Sequence, residues 1–134
     1  MIQVGGTLPE VDFSLLENGE ITNPGTNELF SDKRVVLFAV PGAFTPTCSQ
    51  AHLPGYVALA DKLKAKGIDS IICLSVNDAF VMDAWGKASN AEEIIMLADG
   101  NGFFTKQIGL DMSTGNFGGL RSLRYPMLVE DGEV

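Results

Sequence analysis

A chain of 134 residues has room for one hydrophobic core and not for two of ordinary size, and its 46% apolar content excludes wholesale disorder. Seventeen acidic against nine basic residues give a formal charge of -8, which repels a nucleic acid outside any local patch. The longest apolar runs, such as Val35–Pro41, fall far below the roughly 20 residues that span a bilayer.

In chain order, Val11–Leu16 alternates apolar and polar, Asn18-Gly19 is a hairpin turn, and Glu20–Thr22 returns as the second arm. A helical turn follows near Asn27–Phe30. Val35–Val40 (VVLFAV) is a continuous run rich in β-branched residues, the pattern of a strand covered on both faces. The spacing of Leu53, Val57, Leu59, Ala60 and Leu63 predicts a helix from about Pro46 to Lys66, stopped by Gly67 and kinked by Pro54, which cannot donate to the preceding turn. Ser70–Val76 reads as a second buried strand, Asp78 as the cap of a helix reaching Ala88, and Ile94–Ala98 as a third strand. Alternating strands and helices imply a parallel sheet. A short helix to Ile108, a Gly-, Ser- and Asn-rich loop to Gly119 and a strand over Ser122–Glu130 complete the sequence of elements. Asp131-Gly132 then opens a hairpin whose second arm has barely begun at Val134, so a single domain over residues 1–134, cut short at its end, is expected.

The chemistry concentrates where the first buried strand meets its helix, in Pro41-Gly42-Ala43-Phe44-Thr45-Pro46-Thr47-Cys48. This turn sets Cys48 in the first turn of a helix, where free backbone N-H groups and the positive end of the helix dipole favour a thiolate. Thr45, three residues earlier, can turn its hydroxyl toward the sulfur. Pro41, rigid and without an N-H, suits a water-poor rim. Taken singly, a lone cysteine is most often a small buried hydrophobe, and Pro, Gly and Thr are ordinary turn residues. The order of strand, turn and cysteine at a helix start is what points to a nucleophile. Only two cysteines occur, Cys48 and Cys73, the usage of a reducing compartment. With no secretory or organelle presequence layout at its start, the chain is expected to be cytoplasmic. His52 lies four residues after Cys48 on the same helix face, but no second pair exists to complete a zinc or copper site, so no metal is expected and His52 is given a structural hydrogen-bonding role. The glycines of residues 100–102 and 115–119 follow no nucleotide-binding pattern, and no cofactor is implied.

The spacing Pro41, Thr45, Cys48 resembles the active-site signature of the peroxiredoxins. The longer string PGAFTPTCSQAHLPGY, with SVNDAFVMDAW, LADGNGFFTKQIG and RSLRYPMLVEDG in the same order, is similar to their type II, or atypical two-cysteine, branch. The resemblance implies a thioredoxin-like α/β fold: a central mixed β-sheet flanked by helices, built on strands near residues 35, 70 and 122, with the family's final strand and helix missing. It implies a thiol-dependent peroxidase acting on hydrogen peroxide and alkyl hydroperoxides through a sulfenic acid, recycled by glutathione with glutaredoxin or by thioredoxin, and often paired as a homodimer. Carried over by resemblance are Cys48 as the peroxide-attacking cysteine, Thr45 as its hydrogen-bond partner, Pro41 as shield and Arg124 as the guanidinium completing the substrate-binding site. A fixed cation beside a thiolate lowers its pKa and steadies a departing oxygen, which gives Arg124 a physical case of its own. Arg121 is the weaker candidate and reads as an exposed strand-end residue. Some members of the branch have a resolving cysteine near Cys73. Here, however, Cys73 falls midway along a strand while Cys48 lies beyond the end of its neighbour, so a structural role is expected for it.

Two other functions compete. A disulfide oxidoreductase is disfavoured because position 51 is Ala, leaving Cys48 without a C-x-x-C partner, and the glutathione peroxidase motif is absent. A catalytically idle binding or chaperone-like domain is the third.

Overall fold

The computed structural model describes residues 1–134, the side chain of Gln50 excepted. A small hairpin of β1 (Leu15–Glu17) and β2 (Glu20–Thr22) leads into α1 (Thr26–Phe30) and β3 (Arg34–Ala39). A π-helical turn, Cys48–His52, opens the long helix α2 (Leu53–Ala65), and β4 (Ser70–Ser75), α3 (Ala79–Ala88) and β5 (Ile95–Ala98) follow. The remainder is α4 (Phe103–Gln107), β6 (Asp111–Ser113), β7 (Leu120–Ser122) and β8 (Tyr125–Glu130).

The apolar run at Val35–Val40 forms the middle of a four-stranded sheet of order β5-β4-β3-β8. β3, β4 and β5 are parallel, and β8 runs antiparallel to β3 with Phe38 opposite Pro126. Because side chains alternate across a strand, this run feeds two cores. Val35, Leu37 and Ala39 join Ile72, Leu74, Leu97, Phe30 and Phe104 on one face, while Phe38 and Val40 join Ile71, Cys73, Leu53, Met82 and Trp85 under α2 and α3 on the other. Ile71, Ile72 and Leu74 are fully buried, and each such side chain contributes about 1.5–3 kcal/mol relative to exposure. The mixed sheet between helices is the architecture that the sequence predicts. No described helix is long and apolar enough to cross a membrane.

Four local expectations change. The first hairpin arm begins at Leu15 rather than Val11, because the preceding residues spend their backbone bonds elsewhere: Phe13 N-H donates to Pro24 O, and Ser14 exchanges bonds with Ala98. Pro54 does not kink an α-helix. The Leu53 N-H bonds back to Cys48 O, five residues earlier, in a π turn, and Pro54 falls in the first turn of α2, where proline is well tolerated. The loop predicted up to Gly119 contains β6, which pairs with β7 just beyond it as a hairpin, Met112 opposite Arg121. Finally, Ser122–Glu130 is not one strand. β7 ends at Ser122 and β8 starts at Tyr125, with a corner at Leu123-Arg124 between them.

The last residues are paired on both sides. Glu133 bridges to Glu130 across the Asp131-Gly132 turn and to Thr7, while Gly5 N-H donates to Val134 O (2.8 Å) and Val134 N-H to Gly6 O (2.9 Å).

Candidate active site

Beyond the C-terminal ends of β3 and β4, three loops meet and are tied by polar contacts. Ala43 N-H donates to Asn77 Oδ1 (3.0 Å), and the buried Ser75 hydroxyl reaches both Asn77 Oδ1 (2.6 Å) and Val40 O (3.2 Å). Arg121 supplies the third tie: its Nε donates to Gly118 O (3.1 Å) and its Nη1 to Val76 O (3.2 Å). Arg121 is therefore half-buried and clamps loops together, rather than being the exposed residue expected. A Cβ at Gly118 would lie 2.5 Å from the Arg121 guanidinium, so a larger residue there would displace the clamp.

This scaffold holds the turn from half-buried Pro41 to Cys48. Thr45 closes it, its hydroxyl donating to Gly42 O (2.6 Å) and its carbonyl accepting from Ser49 N-H (2.9 Å). No hydrogen bond joins Thr45 to the sulfur. The hydroxyl has spent its proton on the loop and keeps its oxygen as an acceptor, which corrects the expectation of a direct Thr45–Cys48 bond. Phe44, at the tip, has φ of +62°, a left-handed conformation that costs a bulky side chain of order 1–3 kcal/mol. Its ring is 55% exposed.

Cys48 is fully buried among Phe38, Leu53 and Trp85. Among the described residues, one polar group reaches its sulfur. Arg124 Nη2 donates to Cys48 Sγ at 3.3 Å across 76 residues of sequence, and Arg124 Nη1 lies 2.8 Å from His52 Nδ1. The corner between β7 and β8 makes this possible, because an unbroken strand would have carried the arginine past the site as an ordinary alternating residue. His52 leans on Phe38 (5.2 Å between ring centres) and Tyr56 (5.6 Å), which stack on each other at 3.9 Å. Burial, and then the Arg124 charge, hold His52 below its ordinary pKa of 6.5. Next to Cys48, Ser49 Oγ accepts from the buried Trp85 Nε1 (3.0 Å). Sequence reasoning missed this contact and the Ser75–Asn77–Ala43 relay, since nothing in their spacing marks them.

Cys73 shares an apolar cluster with Cys48 but sits inside the sheet rather than beyond its end. It lies in β4 with Phe38 and Met96 as its register partners and is fully buried. Burial first, and the nearby Cys48 second, push its thiol well above its ordinary value. Among the described residues no cluster of three His, Cys, Asp or Glu is placed to hold a metal.

A buried sulfur at a helix entry, touched by a permanent cation and surrounded by apolar side chains, is an arrangement for nucleophilic thiol chemistry. A family model described as Redoxin matches residues 3–134. Peroxiredoxin-2B of Arabidopsis thaliana is 44% identical over 136 residues, covering 99% of this chain and 84% of that protein. The chain belongs to the peroxiredoxins. Among solved peroxiredoxin structures, reduced Prx3 from Vibrio vulnificus in complex with H2O2 superposes with a TM-score of 0.98 at 61% identity, covering all of this chain and 85% of that one. Peroxiredoxin sll1621 of Synechocystis is 54% identical over 110 residues, yet the match spans only 58% of that longer relative. Peroxiredoxins as a family are thiol-dependent peroxidases.

Proposed function

We propose that this chain reduces hydrogen peroxide and alkyl hydroperoxides, with Cys48 as the attacking thiolate. The observation that carries this is the 3.3 Å contact between Arg124 Nη2 and the buried Cys48 Sγ. In the reaction the sulfur forms a bond to one peroxide oxygen as the O–O bond breaks. The sulfur is oxidised to sulfenic acid, and the leaving oxygen takes a proton and departs as water or alcohol. Arg124 faces the developing negative charge, and the acceptor oxygen of Thr45 receives the peroxide O–H. Pro41 keeps the rim of the turn free of a competing N–H. A first external thiol then condenses with the sulfenic acid, losing water and leaving a mixed disulfide on Cys48, and a second thiol attacks that disulfide to restore the Cys48 thiol. Glutathione with glutaredoxin or thioredoxin supplies both thiols, because Cys73 is fixed in the middle of β4.

Phe44, Phe80 and Phe117 are 55%, 64% and 70% exposed around the loops that Asn77 and Arg121 tie together, and a second copy of the chain would cover them. A homodimer through this face is part of the proposal, and Phe44→Asp is then expected to yield monomer in light scattering. The activity is tested with one equivalent of peroxide, a denaturing quench and mass spectrometry. Sulfenic acid at Cys48, or its mixed disulfide with added glutathione, is the expected product. An unmodified Cys48 sinks the peroxidase reading, and a dominant Cys48–Cys73 bond sinks the external thiol.

A further inference from the structure

The guanidinium of Arg124 bridges two residues of one π turn, Cys48 through Nη2 (3.3 Å) and His52 through Nη1 (2.8 Å). Arginine can only donate, so His52 Nδ1 must accept with its lone pair, which places the ring proton on Nε2. An imidazolium has no lone pair to offer. Protonation of His52 would replace an acceptor by a second cation 2.8 Å from the guanidinium, turning attraction into repulsion. The ring itself has little freedom, since Phe38 of β3 and Tyr56 of α2 wall it in. The titratable or charged groups facing it are Arg124 from the β7–β8 corner, Tyr56 from α2 and Cys48 from its own turn. Among the described residues no carboxylate pairs with His52 or Arg124 to offset a positive charge there. Arg124 is otherwise solvent-exposed, and a long exposed side chain does not hold one rotamer without a partner.

We propose that His52 is a positioning residue whose neutral imidazole holds the Arg124 guanidinium against Cys48 Sγ and whose protonation releases it. This rests on the assignment of Cys48 as the peroxide-attacking residue. It places in the site an acid-sensitive group that acts on the cation rather than on the sulfur. Burial and the Arg124 charge both keep His52 neutral, so the hold is complete above the ordinary value of 6.5 and is lost as pH falls through a lower one.

The test compares wild type, His52→Leu and His52→Asn by stopped-flow consumption of hydrogen peroxide from about pH 5 to 8, the range in which histidine charge changes. Thiolate absorbance of Cys48 is recorded at each pH and divided out of the rate. Leu offers no acceptor and is expected to lower both the rate, by about tenfold, and the thiolate absorbance at neutral pH. Asn places a non-titrating carboxamide oxygen near the Nδ1 position, and is expected to recover most of the rate while losing the acid limb that remains after thiolate correction. A His52→Leu protein matching wild type in both readouts overturns the proposal, as does an acid limb unchanged in His52→Asn. Failure of the wild type to consume peroxide would refute the peroxidase reading instead, and the thiolate absorbance of the three proteins would still decide whether His52 places Arg124.

Discussion

In the middle of the sheet Cys73 meets Phe38 and Met96 in register, whereas just past the sheet's end Cys48 meets a guanidinium, although both side chains are fully buried. Depth alone therefore does not distinguish the cysteine proposed to attack peroxide from the one proposed to be structural. Burial in apolar surroundings keeps a thiol protonated, and Cys73 shows that effect without opposition. At Cys48 the same burial is accompanied by the Arg124 guanidinium 3.3 Å away, the charge that the proposed thiolate would need. The difference lies in topology. A strand interior has only neighbouring strands to offer, while the C-terminal ends of parallel strands receive loops from several directions.

The comparison is broken most directly by exchanging the two cysteines in turn. Cys48→Ser is expected to reduce peroxide consumption to background, because a hydroxyl forms almost no anion at neutral pH, while Cys73→Val stays within about twofold of wild type. Equal losses in stopped-flow traces would erase the distinction. Next in size is the cation. Arg124→Gln is expected to slow the peroxide step by about 10²-fold, the scale of losing one transition-state donor. Arg121→Gln, which loosens three loops without touching the sulfur, is expected to cost about tenfold or less. The reverse ranking would place the working charge at the clamp.

Thr45→Val removes the acceptor oxygen and the bond to Gly42 O, and about a tenfold fall in the second-order rate is expected, with an unchanged rate assigning Thr45 to the turn alone. The smallest effect concerns stability. Because the folded chain holds the Cys73 thiol well above its ordinary value of 9.0, it keeps a proton there that the unfolded chain gives up. The stability this confers is complete below that value and is lost as pH rises above it. Urea midpoints taken at about pH 8 and pH 10 should therefore fall further in wild type than in Cys73→Val, and parallel falls would show that the thiol does not titrate differently on folding.

Much of this was legible in the sequence because periodicity reports burial. Val35–Val40 and Ser70–Val76 announced two-sided strands, and Asp78 announced its helix, where its carboxylate accepts from Val81 N-H at 2.9 Å. The turn from Pro41 to Cys48 was legible as a spacing of residue types. The arrangement of the cation was not, because Ser122–Glu130 alternates well enough to pass as one strand, and only tertiary pairing breaks it at Leu123-Arg124. The π turn escaped for a similar reason. Proline in a helical pattern signals a disturbance but not which hydrogen bonds take it up.

The bond between Trp85 Nε1 and Ser49 Oγ gives the molecule an optical gauge. This is the chain's single tryptophan, and its partner is the residue that follows Cys48. A rearrangement of the π turn that makes room for an oxygen on Cys48 and shifts Ser49 would stretch or rotate that bond, altering the polarity felt by the indole ring. Emission from the unlabelled protein is therefore expected to change when the turn is oxidised, with no second tryptophan to subtract, and identical spectra before and after peroxide would show that the turn stays in place.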